Sequence, residues 1–304
     1  MIGNTWLWIG FNLFIVLMLT LDLGVFHRKE HVIKLKEALI WTCVWIILAL
    51  LFNTAILHYY GQKRAIEFLS AYLLEKALSV DNIFVFSMLF SYFAVPAKLQ
   101  HKALFWGIFG ALIMRSTFIL SGIQLIQHFH WILYVFGVFL IYTGIRMYFQ
   151  SNKELKPDEN ILLKWIKKIF PASDQFHEDH FLVRIDGKLI ITRLLMVLIF
   201  IEITDLIFAV DSIPAVLAIS NDSFIVYTSN VFAILGLRSL YFAISGMNEY
   251  FRYLKYGLAT ILIFVGLKMC AADLIKIPVE LSLLIILVIL GLSLLFSKLI
   301  PVKN

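Results

Sequence analysis

The chain has 304 residues, of which 61% are hydrophobic and 15% are charged, and its mean hydropathy is +0.90. Soluble domains are nearer half apolar and a quarter charged, so one water-exposed globule could not bury this much apolar surface, and a lipid bilayer must solvate most of it. The net charge of +6 does not indicate a nucleic-acid-binding protein, because the basic residues lie in short stretches between apolar runs rather than in one patch.

The first predicted element is an apolar run at 5–25, with no basic residue before it and no small-residue cleavage site after it. We therefore predict a retained transmembrane helix rather than a signal peptide. Runs of about 20 largely apolar residues, long enough to cross a bilayer, recur along the chain. Cys43 and Cys270 lie inside two of these runs, so they predict neither a disulfide framework nor a thiolate metal site. Nine spans are predicted, at 5–25, 38–57, 66–93, 103–125, 130–149, 192–218, 223–246, 254–273 and 278–297.

The connection 150–191 is the one sizeable polar segment. In the stretch 161–170, apolar residues and lysines fall on opposite faces at helical spacing, which predicts a short helix lying on the inner leaflet. Asp186-Gly187 between β-rich flanks predicts a small hairpin. Between these two elements, FHEDHF (176–181) leaves open a regulatory metal site, although a solvated loop is the commoner role of such a segment. The connection is also a candidate surface for a cytoplasmic partner.

The distribution of Lys and Arg predicts the orientation of the chain. If the N-terminus lies outside, the inner connections and the C-terminal tail carry nearly all of the basic residues near the helix ends. The outer connections then carry only Lys63, Arg64 and Lys276. The positive-inside rule therefore predicts an N-terminus outside and a C-terminus in the cytoplasm.

Two stretches of the chain share an ordered series of motifs: an acidic motif, an Arg-Ser pair, and a glycine followed by a basic residue and Met. The first copy comprises LEKALSVDNIF (74–84), Arg115-Ser116 and TGIRM (143–147). The second copy comprises TDLIFAVDSIP (204–214), Arg238-Ser239 and VGLKM (265–269). Each unit contains three spans, and because three is odd the second copy must be inverted in the membrane, which is the architecture of many secondary transporters.

The predicted organisation is an all-α polytopic membrane protein with about nine transmembrane helices and this inverted three-helix repeat. Its parts are two N-terminal helices (1–65), the first repeat (66–149), the cytoplasmic connection (150–191), the second repeat (192–273) and a C-terminal helix (274–304). In folds of this kind, the substrate site lies near the membrane midplane where the repeats meet.

Several ionised side chains fall within the predicted spans, where each costs on the order of 2.5–3.5 kcal/mol on insertion scales. Acids at membrane depth need partners, and a cation is the obvious one. Oxygen-only ligation, with neither His nor Cys beside the acids, favours hard divalent ions such as Mn²⁺, Mg²⁺ and Ca²⁺. The ionisable residues in the spans are Asp22, Glu75, Lys76, Asp81, Arg115, Glu202, Asp205, Asp211 and Arg238, and neutral oxygen donors beside the acids are Ser79, Asn82, Thr204 and Ser212.

These residues have three expected roles, with structural salt bridges between helices as the alternative for each. The candidate metal ligands are Asp81, Asn82, Glu202, Asp205 and Asp211. The candidate proton-coupling or secondary residues are Glu75, Asp22 and Ser212. The candidate counter-ions are Lys76, Arg115 and Arg238. No resident cofactor is indicated, since the metal ion is expected to be the cargo.

The sixth span raises a geometric question. At about 100° per residue, Glu202 and Asp205 share one face of a helix, whereas Asp211 points elsewhere on a straight helix. Pro214 removes a backbone donor one turn after Val210, so a kink or unwound turn there would swing Asp211 inward.

The motifs LEKALSVDNIFVF (74–86) and TDLIFAVDSIPAV (204–216), with LDLGVFHRK (21–29) before them, resemble the TerC/Alx family of integral membrane proteins. The resemblance covers nearly the whole chain. It implies a role in manganese homeostasis through Mn²⁺ export, together with an association with tellurium resistance. It also implies four functional acids, namely Asp81, Glu202, Asp205 and Asp211.

We therefore expect a multi-pass transporter of the bacterial inner membrane that exports divalent metal ions, most plainly Mn²⁺, by proton-coupled alternating access. A divalent-cation channel is the closest alternative, and a membrane scaffold of a metal or tellurite stress-response complex is a second. We do not expect an enzyme, because no recognisable nucleophile, HExxH or paired-aspartate motif is present.

Overall fold

A computed structural model of the chain describes residues 5–24, 35–129, 131–149, 173, 175–185, 188–244, 253–275 and 277–299. Within them the chain is almost entirely helical, which confirms the predicted all-α class. The helices are α1 (Thr5–Gly24), α2 (Leu35–Tyr60), α3 (Gln62–Tyr92), α4 (Ala97–His128), α5 (Ile132–Phe149), α6 (Arg193–Leu217), α7 (Ser223–Leu235), α8 (Leu237–Ile244), α9 (Leu254–Cys270) and α10 (Val279–Leu299). Two strands, β1 (Leu182–Ile185) and β2 (Lys188–Ile191), lie between α5 and α6.

A helix lies at each of the nine predicted spans, and in the seventh position it is broken. There α7 and α8 meet at Gly236 with a bend of 40°. By length and composition, four described helices are able to cross a membrane (α2, α4, α5 and α10), or five if α7 and α8 form one span. The 31-residue α3 and the 25-residue α6 carry most of the predicted acids. Nine crossings therefore remain a prediction.

Local chemistry sets the helix ends around the second half of the chain. The Thr192 hydroxyl accepts a hydrogen bond from the Leu195 amide and caps α6. The Asp222 carboxylate accepts bonds from the amides of Phe224 and Ile225 and caps α7. Both side chains satisfy amides that a helix N-terminus otherwise leaves unpaired.

The unwound turn expected at Pro214 is not observed. Helix α6 continues through Pro214 to Leu217, and the Pro214 carbonyl accepts a bond from the Ala218 amide. A proline in the last turn removes a single intrahelical hydrogen bond, so the helix tolerates it there without breaking. Asp211 is therefore not swung towards the face that carries Asp205.

Helices α4 and α6 are parallel, because their contacts advance in the same direction along both. These contacts join Gly107 with Ile201, Gly110 with Glu202, and Arg115 with Asp205. Helices α3 and α4 are antiparallel, since the connection 93–96 between them is short and Glu75 contacts Arg115 at a similar distance from it. The first helices of the two proposed repeats, α3 and α6, therefore run in opposite directions, as an inverted repeat requires.

The packing of α5 against α9 has the same symmetry. A Cβ on Gly144 would lie 2.7 Å from the Ala259 carbonyl oxygen, and a Cβ on Gly266 would lie 2.6 Å from the Gly137 carbonyl oxygen. In the proposed alignment Gly137 corresponds to Ala259, and Gly144 corresponds to Gly266. The second contact is therefore the same as the first, with the roles of α5 and α9 exchanged. A two-fold axis between the repeats produces this relation. The inverted repeat stays a prediction, and this packing supports it.

The segment between the repeats is fastened to α4 and α6. Strands β1 and β2 pair antiparallel on either side of Asp186-Gly187, with Leu182 opposite Ile191. Before them, Phe176 and Phe181 pack on the apolar cluster that α4 and α6 share. We call residues 176–181 the anchor. The expectation of a solvated loop is wrong for its two phenylalanines, because they fill space between the helix ends.

Candidate functional site

The centre of the molecule holds a buried ion-pair cluster around Arg115 of α4, which is 2% exposed. Its guanidinium contacts Glu75 of α3 and binds both carboxylate oxygens of Asp205 of α6, with Nη2–Oδ1 at 2.9 Å and Nε–Oδ2 at 3.1 Å. A planar guanidinium matches a carboxylate in this two-point arrangement. Two acids face one base here, so the cluster has capacity for one further proton or cation.

Neutral polar side chains surround this cluster. Nη1 of Arg115 donates to Ser212 Oγ and to Asn230 Oδ1, each at 3.3 Å. The Asn82 amide donates to Asp205 Oδ1 at 3.4 Å, and the Asn230 amide donates to Glu75 Oε2 at 3.4 Å. The structure thus brings together side chains from α3, α4, α6 and α7.

Sequence reasoning missed Asn230. It lies on α7, in an apolar stretch without an acidic motif, and it is fully buried. The available signal was an amide side chain within a predicted span, because a polar group in lipid must find a partner.

Three oxygens near the cluster are buried and have no hydrogen-bond partner: Ser79 Oγ, Asn82 Oδ1 and Glu202 Oε2. Ser79 and Asn82 lie one turn apart on α3, and Glu202 lies one turn before Asp205 on α6. Leaving a buried polar atom unpaired costs about 1–3 kcal/mol. Hydroxyl, amide and carboxylate oxygens are of the kinds that hard cations take as ligands.

Glu202 is positioned by a glycine of α4. Its carboxyl group lies directly over Gly110, where an added Cβ would come within 2.5 Å of Glu202 Cδ. A larger residue at position 110 would force the Glu202 carboxylate to move from this place between α4 and α6. Gly110 was not among the predicted site residues, because a single glycine in an apolar helix gives no sign of what lies opposite.

Asp211 is separate from the Arg115 cluster. It is half-buried and accepts a hydrogen bond from Thr143 Oγ1 of α5 at 3.2 Å. Six residues at about 100° each place it well away from the face of α6 that carries Asp205. The predicted ligands on α6 therefore divide between two places, one against α3 and α4 and the other against α5.

The remaining predicted residues have varied surroundings. Lys76 Nζ donates a hydrogen bond to the Ala233 carbonyl oxygen at 3.1 Å, next to the α7–α8 break. Its partner in this contact is a backbone carbonyl and not an acid, unlike the counter-ion role predicted for it. Arg238 is buried on α8. Asp22 lies on α1 and Asp81 lies on α3, and the side chains of both are outside the described part of the structure.

No group of three or more His, Cys, Asp or Glu side chains is close enough to hold a metal ion among the residues that the structure describes. In the anchor, His177 Nε2 lies 3.0 Å from Ser173 Oγ, and His180 Nδ1 lies 3.5 Å from Asp179 Oδ1. The other Asp179 oxygen binds Lys102 Nζ at 2.5 Å, and this bond lowers the pKa of the Asp179 carboxyl. The anchor's polar side chains are thus used for structure, which does not favour the regulatory metal site left open above.

A further buried acid, Glu67, lies near the N-terminal end of α3 and was not predicted as a site residue. Its Oε2 accepts bonds from Arg64 Nη1 and from Ser220 Oγ, each at 2.7 Å. Asp222 Oδ2 lies 3.7 Å from Arg64 Nη2. These contacts tie α3 to the turn between α6 and α7, at the opposite end of α6 from the anchor.

Comparison with known proteins gives a family match. The model described as "Integral membrane protein TerC family" matches residues 60–304. An uncharacterized membrane protein, STKORF319 of Myxococcus xanthus, is 48% identical over 97% of this chain and 93% of its own length. No solved structure matches the chain.

Two further relatives bear the name Alx, and that name proposes a role as a membrane-bound redox modulator. Alx of Salmonella typhi is 44% identical over 97% of this chain and 95% of its own length. Alx of Escherichia coli strain K12 is 45% identical over 93% of this chain and 91% of its own length.

Proposed function

The chain belongs to the integral membrane protein TerC family, and on that premise we propose that it is a transporter that exports divalent metal ions, with Mn²⁺ as its cargo. The observation that carries this proposal is the set of buried oxygens without partners, Ser79 Oγ, Asn82 Oδ1 and Glu202 Oε2. They lie on the two helices that supply acids to Arg115. Hard cations take oxygen ligands of these kinds, and neither Cys nor His occurs in α3 or α6.

We assign the cargo site to the α3 and α6 sides of the Arg115 cluster. Glu202, Asp205, Asn82 and Ser79 supply oxygen, and Asp81 lies in the same part of α3. Arg115 holds Asp205 while the cation is absent, because a lone buried carboxylate is costly. Cation binding would draw Asp205 from Arg115 and leave Glu75 as the partner of the guanidinium.

Asp211 would then form a second position for the cargo. It lies on another face of α6, where Thr143 of α5 holds it. Two positions on one helix suit an ion that passes stepwise along the interface between the repeats, where transporters with inverted repeats place their sites.

Proton exchange follows from the same chemistry. A cation binds the charged form of a carboxylate, so its binding releases protons that the acids hold when the site is empty. Among the described residues, no basic side chain forms an ion pair with Glu202, whereas Asp205 and Glu75 share Arg115. We propose these two acids as the proton carriers.

Because the relatives' name refers to redox modulation, the thiols of this chain are considered next. Cys43 on α2 and Cys270 at the end of α9 are both free. A dithiol reaction therefore has no assembled pair here, and metal export explains the buried oxygens directly.

The test is Mn²⁺ flux into inside-out vesicles that contain the purified protein. Glu202→Gln should lower the apparent Mn²⁺ affinity by about tenfold or more, the effect of losing one charged ligand worth roughly 1.4 kcal/mol or above. Asp211→Asn and Asp81→Asn should also abolish export. Glu280→Gln, at an exposed position on α10, is the matched control. Normal flux by a well-expressed Glu202→Gln protein would disprove the assigned site.

Gly110→Ala tests the geometry without changing any charge. Its Cβ would meet the Glu202 carboxylate, so we expect weaker Mn²⁺ binding. Gly291→Ala, where an added Cβ meets nothing within 4 Å, should leave binding unchanged.

The coupling of Mn²⁺ transport to proton movement is tested by imposing a pH gradient across the vesicle membrane. It is also tested by measuring Mn²⁺ binding between about pH 5.5 and 8 in two buffers of different ionisation heat. Apparent affinity should rise with pH, and binding should release protons. Flux that is independent of the gradient, with no proton release, would exclude proton exchange and leave a channel or an uncoupled carrier.

A further inference from the structure

The β1–β2 hairpin exposes apolar side chains that the described residues do not cover. Leu182 is 45% exposed, Ile185 is 39% exposed and Leu189 is 59% exposed. A lone two-stranded hairpin is marginally stable in water. The hairpin therefore needs a surface beyond its own hydrogen bonds to bury these side chains.

The base of the hairpin is held firmly. The Phe181 carbonyl accepts bonds from the Thr192 amide at 3.1 Å and from the Thr192 hydroxyl at 3.0 Å. Ile191, at the end of β2, is buried. The direction in which the hairpin leaves the helices is thus set by its base.

That base lies beside the lipid-facing side of α4. The Phe181 ring meets the Trp106 ring edge-on, with centroids 6.3 Å apart. Trp106, Phe109 and Ile113 form an exposed apolar stripe along α4, each more than 40% exposed. In a helix able to cross a membrane, such a stripe faces lipid, and a Trp near the polar end of the helix marks the interface. The hairpin begins at Leu182, directly after Phe181, and therefore leaves the helices beside this lipid-facing stripe.

The charge on the hairpin fits the same level of the membrane. On one face, Leu182 and Arg184 lie on β1, and Leu189 lies opposite Arg184 on β2. Arg184 is exposed between the two leucines. An arginine flanked by apolar residues places its stem along apolar surface and its guanidinium among phosphates.

We propose that the β1–β2 hairpin docks on the phospholipid surface, with its exposed leucines at the acyl boundary and Arg184 on the lipid phosphates. The anchor joins the hairpin to α4 and α6, which meet at the Arg115–Asp205 pair. Lipid contact at the hairpin would therefore hold the near ends of those two helices relative to the membrane. This inference concerns the hairpin alone and stands whether or not the chain carries Mn²⁺.

The experiment places an environment-sensitive fluorophore on the full-length protein in phospholipid vesicles. Cys43 and Cys270 are replaced by Ser, and Leu189→Cys is labelled with nitrobenzoxadiazole. Leu182→Cys is a second labelling site, in case one label disturbs the hairpin. Gln175→Cys, at an exposed position before the anchor, is the matched control. Lipids brominated on their acyl chains serve as the quencher.

We expect blue-shifted emission at 189 and 182, and quenching by brominated lipid at least about twofold stronger than at 175, as for a group at the headgroup–acyl boundary. Arg184→Glu should reduce that quenching. Water-like emission at both hairpin sites would overturn the proposal. Shielded emission without lipid quenching would also overturn it and would indicate a protein cover. Dependence on protein density would then identify a second copy, and cross-linking to 161–170 would identify that segment of the same chain.

Discussion

At the scale of single residues, Arg115 determines the electrostatics of the membrane interior. It is the base that two buried acids, Glu75 and Asp205, share. Removing one member of such a group leaves an uncompensated charge, whereas removing complementary members together does not. The structural role of Arg115 is therefore to hold the two acids in place.

Arg115→Gln should destabilise the protein by about 3–5 kcal/mol, the typical cost of breaking a buried ion pair. The measurement is denaturant unfolding in detergent. Glu280→Gln, at an exposed position on α10, is the control and should change stability little. In a double-mutant cycle, Arg115→Gln with Asp205→Asn should cost less than the sum of the single changes. Strict additivity would show that the two side chains do not depend on one another.

At the scale of elements, two devices hold helices together: glycine contacts and the anchor. On α5 and α9, Gly137, Gly144 and Gly266 let backbone approach backbone, which is the usual basis of close helix pairs in membranes. At the ends of α4 and α6, the anchor adds aromatic packing and the bond between Lys102 and Asp179.

Gly266→Ala should destabilise the α5–α9 pair by about 1–3 kcal/mol, because its Cβ would meet the Gly137 carbonyl oxygen, and backbone cannot yield as a side chain can. Gly144→Ala should cost a similar amount, since its Cβ would meet the Ala259 carbonyl oxygen in the equivalent contact. Thermal unfolding of the purified variants checks this. Gly291→Ala should be neutral or stabilising by up to about 1 kcal/mol, the helix propensity gained over glycine. If Gly291→Ala lowered stability as much as Gly266→Ala, the packing argument would be contradicted.

The anchor should be insensitive to pH in the physiological range. Lys102 lowers the pKa of Asp179, so the ion pair contributes fully above the ordinary Asp value of about 3.9 and is lost only as pH falls through the lower, folded-state value. A nitroxide at Gln175 should keep its mobility between about pH 5 and 8, whereas Asp179→Asn should raise mobility throughout. If mobility increased as the pH fell from about 7 to 5, protonation of the anchor's histidines would be what loosens the anchor.

At the scale of the whole molecule, helix directions and contacts relate the two halves. Helix α3 opposes α6 in direction, and α5 packs on α9 through exchanged contacts. In many secondary transporters a symmetry of this kind underlies alternating access, which is the mechanism that we propose here.

The orientation of this assembly in the membrane is a prediction from the positions of Lys and Arg. With the native cysteines replaced by Ser, Asn4→Cys should react with an impermeant thiol reagent on intact cells, and Asn160→Cys should react only after permeabilisation. Equal expression of the two variants is the control. Labelling of Asn160→Cys but not Asn4→Cys on intact cells would show that the topology is the reverse of the predicted one.

Much of the helical architecture was predictable because it follows from local rules. A chain in lipid must satisfy its backbone hydrogen bonds within each span, so apolar runs of sufficient length locate the helices. The Asp186-Gly187 pair predicted the hairpin for a similar reason, since a two-residue turn sets the register of its own strands. The acids at membrane depth were also evident, because charge in an apolar run is costly wherever the run packs.

Tertiary structure alone decided which of those residues meet. Glu75, Arg115 and Asp205 lie far apart in the chain, and only the packing of α3, α4 and α6 makes them one cluster. Gly110 and Asn230 gained their roles from the side chains opposite them. Asp211 was separated from Asp205 because α6 stays helical through Pro214. Helix formation depends on near neighbours in the chain, whereas a site at a helix crossing depends on register and rotation between distant segments, which no local pattern encodes.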